Sequence, residues 1–289
     1  MPIKGGGVNL IAYISFLQEL WPTGAFANVQ QYAGASAGSI VSGFLAAGYT
    51  PDELYTILST FDFKKLEDGN LVTEAGNILS SGHGLYPGKW FEGWAESMFA
   101  NKLGKSKATF RDLKEAGRPG FSAVTTYINE GDAVILNYEG TPDVILSEAL
   151  RASMGIPLLF DLFTFTQGFN KGQLFSDGGE KLNYPINLFD GYPEDEVLGL
   201  YLHDISNVQP PIQITGFRSF INAHFEALLS SSDVYIFNNP NKPKWFRQTV
   251  LIDTKGLSAT NFSISPTDVT TLEQSGREAA NKYLTNKGS

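Results

Sequence analysis

Residues 34–38 read Gly-Ala-Ser-Ala-Gly and set one hydroxyl, Ser36, among small neighbours. A serine becomes a nucleophile for acyl transfer when a sharp turn exposes its Oγ and a nearby base takes the proton. Gly34, Ala35, Ala37 and Gly38 leave room for such a turn and let the following helix pack close to the preceding strand. The same five residues also suit a plain glycine-rich strand-to-helix turn, so the pentapeptide needs its context. A second cluster, Gly5-Gly6-Gly7, is no dinucleotide fingerprint, because position 10 is Leu10, and it lacks the Gly-Lys-Ser/Thr of a phosphate loop. Three bare amides after a strand can hold an oxyanion, where one donor is worth about 3–4 kcal/mol of barrier. A merely flexible loop is the alternative.

The hydroxyl needs a base. Three imidazoles are available, His83, His203 and His224, and no cysteine. His83 sits in a glycine-rich loop, His203 ends a strand, and His224 lies mid-helix beside Phe225, where a packed or half-exposed histidine is the ordinary role. Asp177 follows a β-rich run and precedes Gly178 and Gly179, so its carboxylate could stand free in a cleft. A carboxylate bonded directly to a serine hydroxyl can serve as the base without an imidazole.

These groups must be positioned by strands and helices. Residues 1–4 read as the end of a short first strand, followed by the glycine turn and a helix from about Val8 to Leu20, with Leu10, Ile14, Leu17 and Trp21 at helical spacing. Residues 28–33 supply a second strand, and Ser36 opens a helix ending at Gly48. Thr50 caps a further helix that starts at Pro51. Two β-rich runs, 121–128 and 133–139, flank a glycine-containing turn and read as a hairpin. Residues 144–154 are helical, and 162–167 with 173–176 form a second hairpin that leads into Asp177. An interior strand at 196–203, a helix at 216–231, a strand at 248–254 and a C-terminal helix capped by Ser265, with Pro266 in its first turn, complete the chain. This alternation predicts one domain over residues 1–289, a three-layer α/β/α sandwich on a mostly parallel sheet.

Composition narrows the function. The 289 residues are 42% hydrophobic and 18% charged, as in an ordinary globular chain. The net charge of −9, with no run of Lys or Arg beyond two, repels phosphate backbones and argues against nucleic acid as a partner. It also argues against strong electrostatic attachment to anionic lipid, leaving apolar docking open. The absence of cysteine excludes disulfides, thiolate metal sites and cysteine catalysis. No apolar run reaches the ~18 residues of a spanning helix. Lys4, residues 10–17 and the small residues 25–27 loosely resemble a signal peptide. Glycines stand where its apolar core should start, and Gln18 and Glu19 follow at once, so secretion by this segment is not expected and a cytoplasmic location is.

Four stretches, residues 4–8, 33–49, 141–160 and 174–189, resemble the bacterial branch of the patatin-like phospholipases in order and approximate spacing. Residues 84–88 and the tail at 252–268 are also similar to it, so the likeness covers nearly the whole chain. The resemblance implies a Ser-Asp dyad without catalytic histidine, on an α/β/α sandwich, that cleaves acyl esters of lipids. Carried over by position, Ser36 is the nucleophile and Asp177 the base. Gly5, Gly6 and Gly7 form the oxyanion loop, Gly34 and Gly38 flank the nucleophile, and Gly178 and Gly179 complete the Asp-Gly-Gly motif. It further implies a glycerophospholipid substrate met in transient contact with a membrane surface, with no cofactor and no calcium requirement. The likeness departs at Asn9 and Leu10, where that family usually has Lys or Arg and then glycine; the missing cation lowers the positive potential beside the loop. The first strand, residues 1–4, is also short, as if native residues preceded it.

Two rival readings stay open at this level. An α/β-hydrolase esterase would use Ser36, Asp177 and His203 or His224, although that fold builds several strands before its nucleophile turn. A lipid-binding or storage relative with decayed catalysis would keep the fold and lose the rate. Residues 154–165 read as an acyl-pocket lining or as core, and residues 76–88 as a lid or as an ordinary surface loop. Exposed aromatics among the 21 Phe, 12 Tyr and 4 Trp are candidates for membrane contact, most of them being core.

Overall fold

The computed structural model describes residues 1–69, 83–167, 169, 172–205, 213–237 and 243–287. Among these, the strands are β1 (Pro2–Ile3), β2 (Gln31–Ala35), β3 (Gly84–Tyr86), β4 (Gly120–Tyr127), β5 (Asp132–Asn137), β6 (Leu158–Phe160), β7 (Phe175–Asp177), β8 (Gly199–His203) and β9 (Thr249–Asp253). The helices are α1 (Leu10–Leu20), α2 (Ala37–Ala47), α3 (Pro51–Leu58), α4 (Lys89–Leu103), α5 (Phe110–Glu115), α6 (Leu146–Ser153), α7 (Gly179–Leu182), α8 (Phe217–Phe237), α9 (Pro243–Arg247) and α10 (Pro266–Lys287).

The main sheet runs β5-β4-β2-β1-β8-β9, with β7 also paired to β4. Its centre is parallel, from β4 through β2, β1 and β8 to β9. Period-2 alternation explains its two covered faces. Ile3, Tyr32, Leu200, Leu202 and Ile252 join the main core with α1, α2 and α10. On the opposite face Ala33 meets Phe189 and Val197, and Tyr201 meets Tyr184, Ile186 and Trp245. The result is the expected α/β sandwich with a mostly parallel sheet.

Helix boundaries follow local chemistry. Thr50 and Glu53 form a reciprocal cap at the start of α3, and Ser265 and Asp268 do the same for α10. The first helix begins later than its apolar spacing predicts, because residues 7–9 form a tight turn ahead of Leu10. Residues 10–17, the apolar run that resembles a leader, are buried in the core within α1. The second strand is also shifted, to Gln31–Ala35, so that it runs straight into Ser36. The first hairpin is β4–β5, as expected. In the second, Phe163 pairs with Phe175 as an isolated bridge among the described residues; residues 168, 170 and 171 at its turn lie outside them, as do residues 76–82 of the lid reading.

A small parallel pair, β3 with β6, was not legible from the sequence. It is held by Arg151 of α6, a buried guanidinium whose Nη2 donates to Pro87 O and Asp161 O, each at 2.8 Å. Residues 154–165 mostly enter the core beside it, with Met154, Ile156, Leu159, Phe160, Phe163 and Phe165 all buried.

Candidate active site

The register of β4 brings the two candidate groups together. Along one edge of β4, residues 120–124 pair in parallel with β2 and the next three, 125–127, pair antiparallel with β7. Ala35 lies opposite Val124 and Asp177 opposite Thr125, so the carboxyl ends of β2 and β7 meet head-on. Ser36 is the residue after Ala35. Thr125 and Thr126 reinforce the junction by donating from their hydroxyls to the carbonyls of Ser176 and Asp177, both at 2.8 Å.

Ser36 turns this corner with φ 50° and ψ −127°, a conformation that costs a non-glycine residue about 1–3 kcal/mol. Packing sustains it. A side chain at Gly34 would strike the backbone of Gly38 at 2.2 Å, and one at Gly38 would strike Ile3 O at 2.2 Å. The two glycines therefore let α2 begin directly against β1 and β2. Ser153, fully buried at the end of α6, accepts the Ser36 N–H on its Oγ at 3.0 Å, and its carbonyl accepts Gly178 N–H at 3.1 Å. One residue thus ties both halves of the site. It belongs to the stretch 141–160, but nothing in its own spacing signals this role.

Asp177 is fully buried. Its Oδ1 accepts the Gly179 N–H at 2.7 Å. Burial pushes the carboxyl up to about 7; the Ser36 hydroxyl and the Gly179 amide pull against that, and Glu180 adds to it. The Ser36 hydroxyl is near enough to stabilise the carboxylate, yet Oδ2 has no closed hydrogen bond. No imidazole touches either group. His203 ends β8 with its ring 6.4 Å from Tyr201, His224 lies on the outer side of α8 with its ring 5.2 Å from Phe220, and His83 precedes β3.

The glycine loop leaves β1 beside this pair. A side chain at Gly5 would come within 3.1 Å of Ser36 Cβ. The Gly5 N–H donates to Asn183 O at 3.0 Å, so of the three glycines Gly6 and Gly7 keep N–H groups with no partner among the described residues. Gly7 has φ 53°, and a side chain there would overlap Ala259 O. The loop is braced from behind: Val8 N–H donates to Ala259 O, and Asn9 Nδ2 donates to Leu257 O at 2.8 Å. Asn9 therefore anchors the 257–260 segment, while its Oδ1 is buried without a partner. A cation does lie near the loop: Lys4 Nζ donates to Leu202 O at 3.0 Å, lies over the Tyr201 ring and is close enough to Glu226 to favour its charged form. Glu226 of α8 accepts from Ser258 Oγ and Ala259 N–H, both at 2.9 Å, which secures the brace. Asn183 and Glu226 were invisible to sequence reasoning because each reaches the loop only through tertiary packing.

A strained serine, a buried carboxyl with an open oxygen, free amides and the positive start of α2 are parts suited to acyl transfer. The Patatin-like phospholipase family matches residues 3–190, more than half of the chain. This chain belongs to the patatin-like phospholipase family. It is 28% identical over 227 residues to the uncharacterized protein R571 of Acanthamoeba polyphaga mimivirus, covering 76% of this chain and 72% of that one. It is 28% identical over 166 residues to the probable lipid hydrolase 463L of Invertebrate iridescent virus 6, covering 55% and 53%. Its fold is similar to that of VipD from Legionella pneumophila, with a TM-score of 0.63 and 18% identity over 98% of this chain and 66% of VipD. The chain thus spans about two-thirds of VipD, and at that identity the likeness concerns the fold.

Proposed function

We propose that the protein is a serine lipid acyl hydrolase of the phospholipase A or lysophospholipase type. Ser36 is its nucleophile and Asp177 its base. The observation that carries this reading is that Ala35 and Asp177 lie opposite successive residues of β4, so that Ser36, the residue after Ala35, meets Asp177 with no histidine on either group. Ionised Asp177 takes the hydroxyl proton through Oδ2 as Ser36 Oγ attacks the ester carbonyl. The carbonyl oxygen becomes an oxyanion held by the Gly6 and Gly7 amides, with the α2 N-terminus adding positive potential. Collapse breaks the ester C–O bond, the alcohol or lysolipid leaves with the proton, and an acyl-Ser36 ester remains. Water, deprotonated by Asp177, then releases the fatty acid and restores Ser36.

The family and the lipid-hydrolase relative support a lipid ester as substrate, and a glycerophospholipid is the expected form. The positive potential at the oxyanion comes from the Gly6 and Gly7 amides and the start of α2. A fluorophosphonate probe together with a p-nitrophenyl acyl ester tests the proposal. Wild type should be labelled and active, in chelator as well as in calcium. Ser36→Ala should lose both signals, and His203→Asn and His224→Asn should keep most of the rate. A folded wild type that is neither labelled nor active would instead identify a lipid-binding relative.

A further inference from the structure

We propose that Ile214, Phe217 and Phe220, at the start of α8, form the surface by which the protein docks on a phospholipid bilayer. This inference rests on the lipid-ester reading above and adds where the chain meets its substrate. Helix α8 touches both arms of the site. It packs on α7, which begins two residues after Asp177, and its Glu226 holds the 258–260 segment behind the glycine loop. The inward side of α8 is apolar, with Ile221 and Phe225 buried.

The outward side is apolar too. Phe217 is 51% and Phe220 40% exposed, and Ile214, just ahead of the helix, is 62% exposed. Phe217 and Phe220 stand three apart on the helix, His224 follows one turn later with its ring 5.2 Å from that of Phe220, and Ile214 precedes them in the chain. A helix with apolar residues on both sides, one of them facing water, marks a surface that something covers. The charge pattern favours a bilayer. In a chain with 30 Asp and Glu, residues 213–225 contain neither and carry one arginine. Such a stretch can approach phosphate headgroups without repulsion while its rings enter the acyl boundary. A water-insoluble ester must also reach Ser36 from a lipid surface, and α8 packs on the helix that follows Asp177.

Flotation of the full chain with phosphatidylcholine vesicles tests this, using Ser36→Ala protein so that hydrolysis does not alter the lipid. The parent should co-float. The double variant Phe217→Ser/Phe220→Ser should lose about tenfold or more in partition, with its rate on a water-soluble short-chain ester within about twofold when Ser36 is present. Ile214→Ser, outside the helix, should weaken flotation in the same direction if the double variant fails to fold. A parent that stays in the soluble fraction overturns the proposal, as does undiminished flotation of the variants. Self-association of the parent that the double variant abolishes also overturns it, by making a second copy the occupant. Because flotation is read in Ser36→Ala, failure of ester hydrolysis in wild type strikes the hydrolase reading and leaves this one separately judged.

Discussion

At the scale of single residues, the proposed mechanism depends on a carboxyl that must be charged in a place that disfavours charge. Burial sets Asp177 near pH 7, and a general base works only when ionised. On the proposed mechanism kcat/KM therefore rises with pH, reaches half its plateau near 7, and falls about tenfold per unit well below that. A pH-rate profile checks this, and a rate that stays flat from about pH 5 to about pH 9 would remove Asp177 as the base. The same shift carries a stability cost of opposite sense. The folded carboxyl holds its proton up to about 7, whereas the unfolded one releases it near ~3.9. The wild type therefore loses stability as pH rises from about 4 to about 7 and levels off above. Asp177→Asn has no charge to bury, so it should be the more stable protein at about pH 8, by about 1–4 kcal/mol, with the gap closing toward about pH 5. Urea melts at the two pH values measure it.

At the scale of elements, the site is only as firm as the segments behind it. Glu226 joins α8 to the 258–260 segment, which in turn limits Gly7. Glu226→Ala should lower kcat on a short soluble ester about tenfold with KM changed less than about twofold. Glu226→Gln keeps an oxygen acceptor for both donors and should recover most of the loss. Equal rates for Ala and wild type would show that the brace is dispensable. Arg151 plays the corresponding part on the other side, where its fork spans Pro87 O and Asp161 O to join β3 to β6. Its Nη1 is buried without a partner, so the site tolerates this guanidinium only because the fork is satisfied. Lysine is shorter and lacks both the Nε donor to Pro87 O and the planar head that lies over Phe160 and Phe163, so Arg151→Lys should cost about 2–4 kcal/mol in denaturant unfolding.

At the scale of the whole molecule, charge and apolar surface pull in different directions. A net charge of −9 opposes an anionic membrane, while the α8 face favours the acyl boundary. Partition onto neutral phosphatidylcholine should then hold within about twofold as salt rises from about 0.05 M to about 0.3 M. Partition onto vesicles containing phosphatidylglycerol should strengthen over the same range, because screening relieves the repulsion. Flotation at the two salt levels reads both, and a marked weakening with salt would point to a basic anchor instead. Among the described residues no helix is long and apolar enough to cross a membrane.

The parts of this protein that depend on near neighbours in sequence were legible from the sequence alone. Small residues around Ser36 announced the turn, periodicities of two and of three to four separated strands from helices, and Thr50 and Ser265 marked helix starts. What tertiary structure alone decided is the register that sets Ala35 and Asp177 opposite successive residues of β4, across 142 positions of chain (177 − 35). It also decided that the Gly5 amide is spent on Asn183, that Ser153 holds the backbone of Ser36, and that Glu226 steadies the loop. These contacts join segments far apart in sequence, and their partners are common polar residues with no local pattern. Pairing between strands and the close approach of backbones made them, and neither is written in the spacing of any one segment.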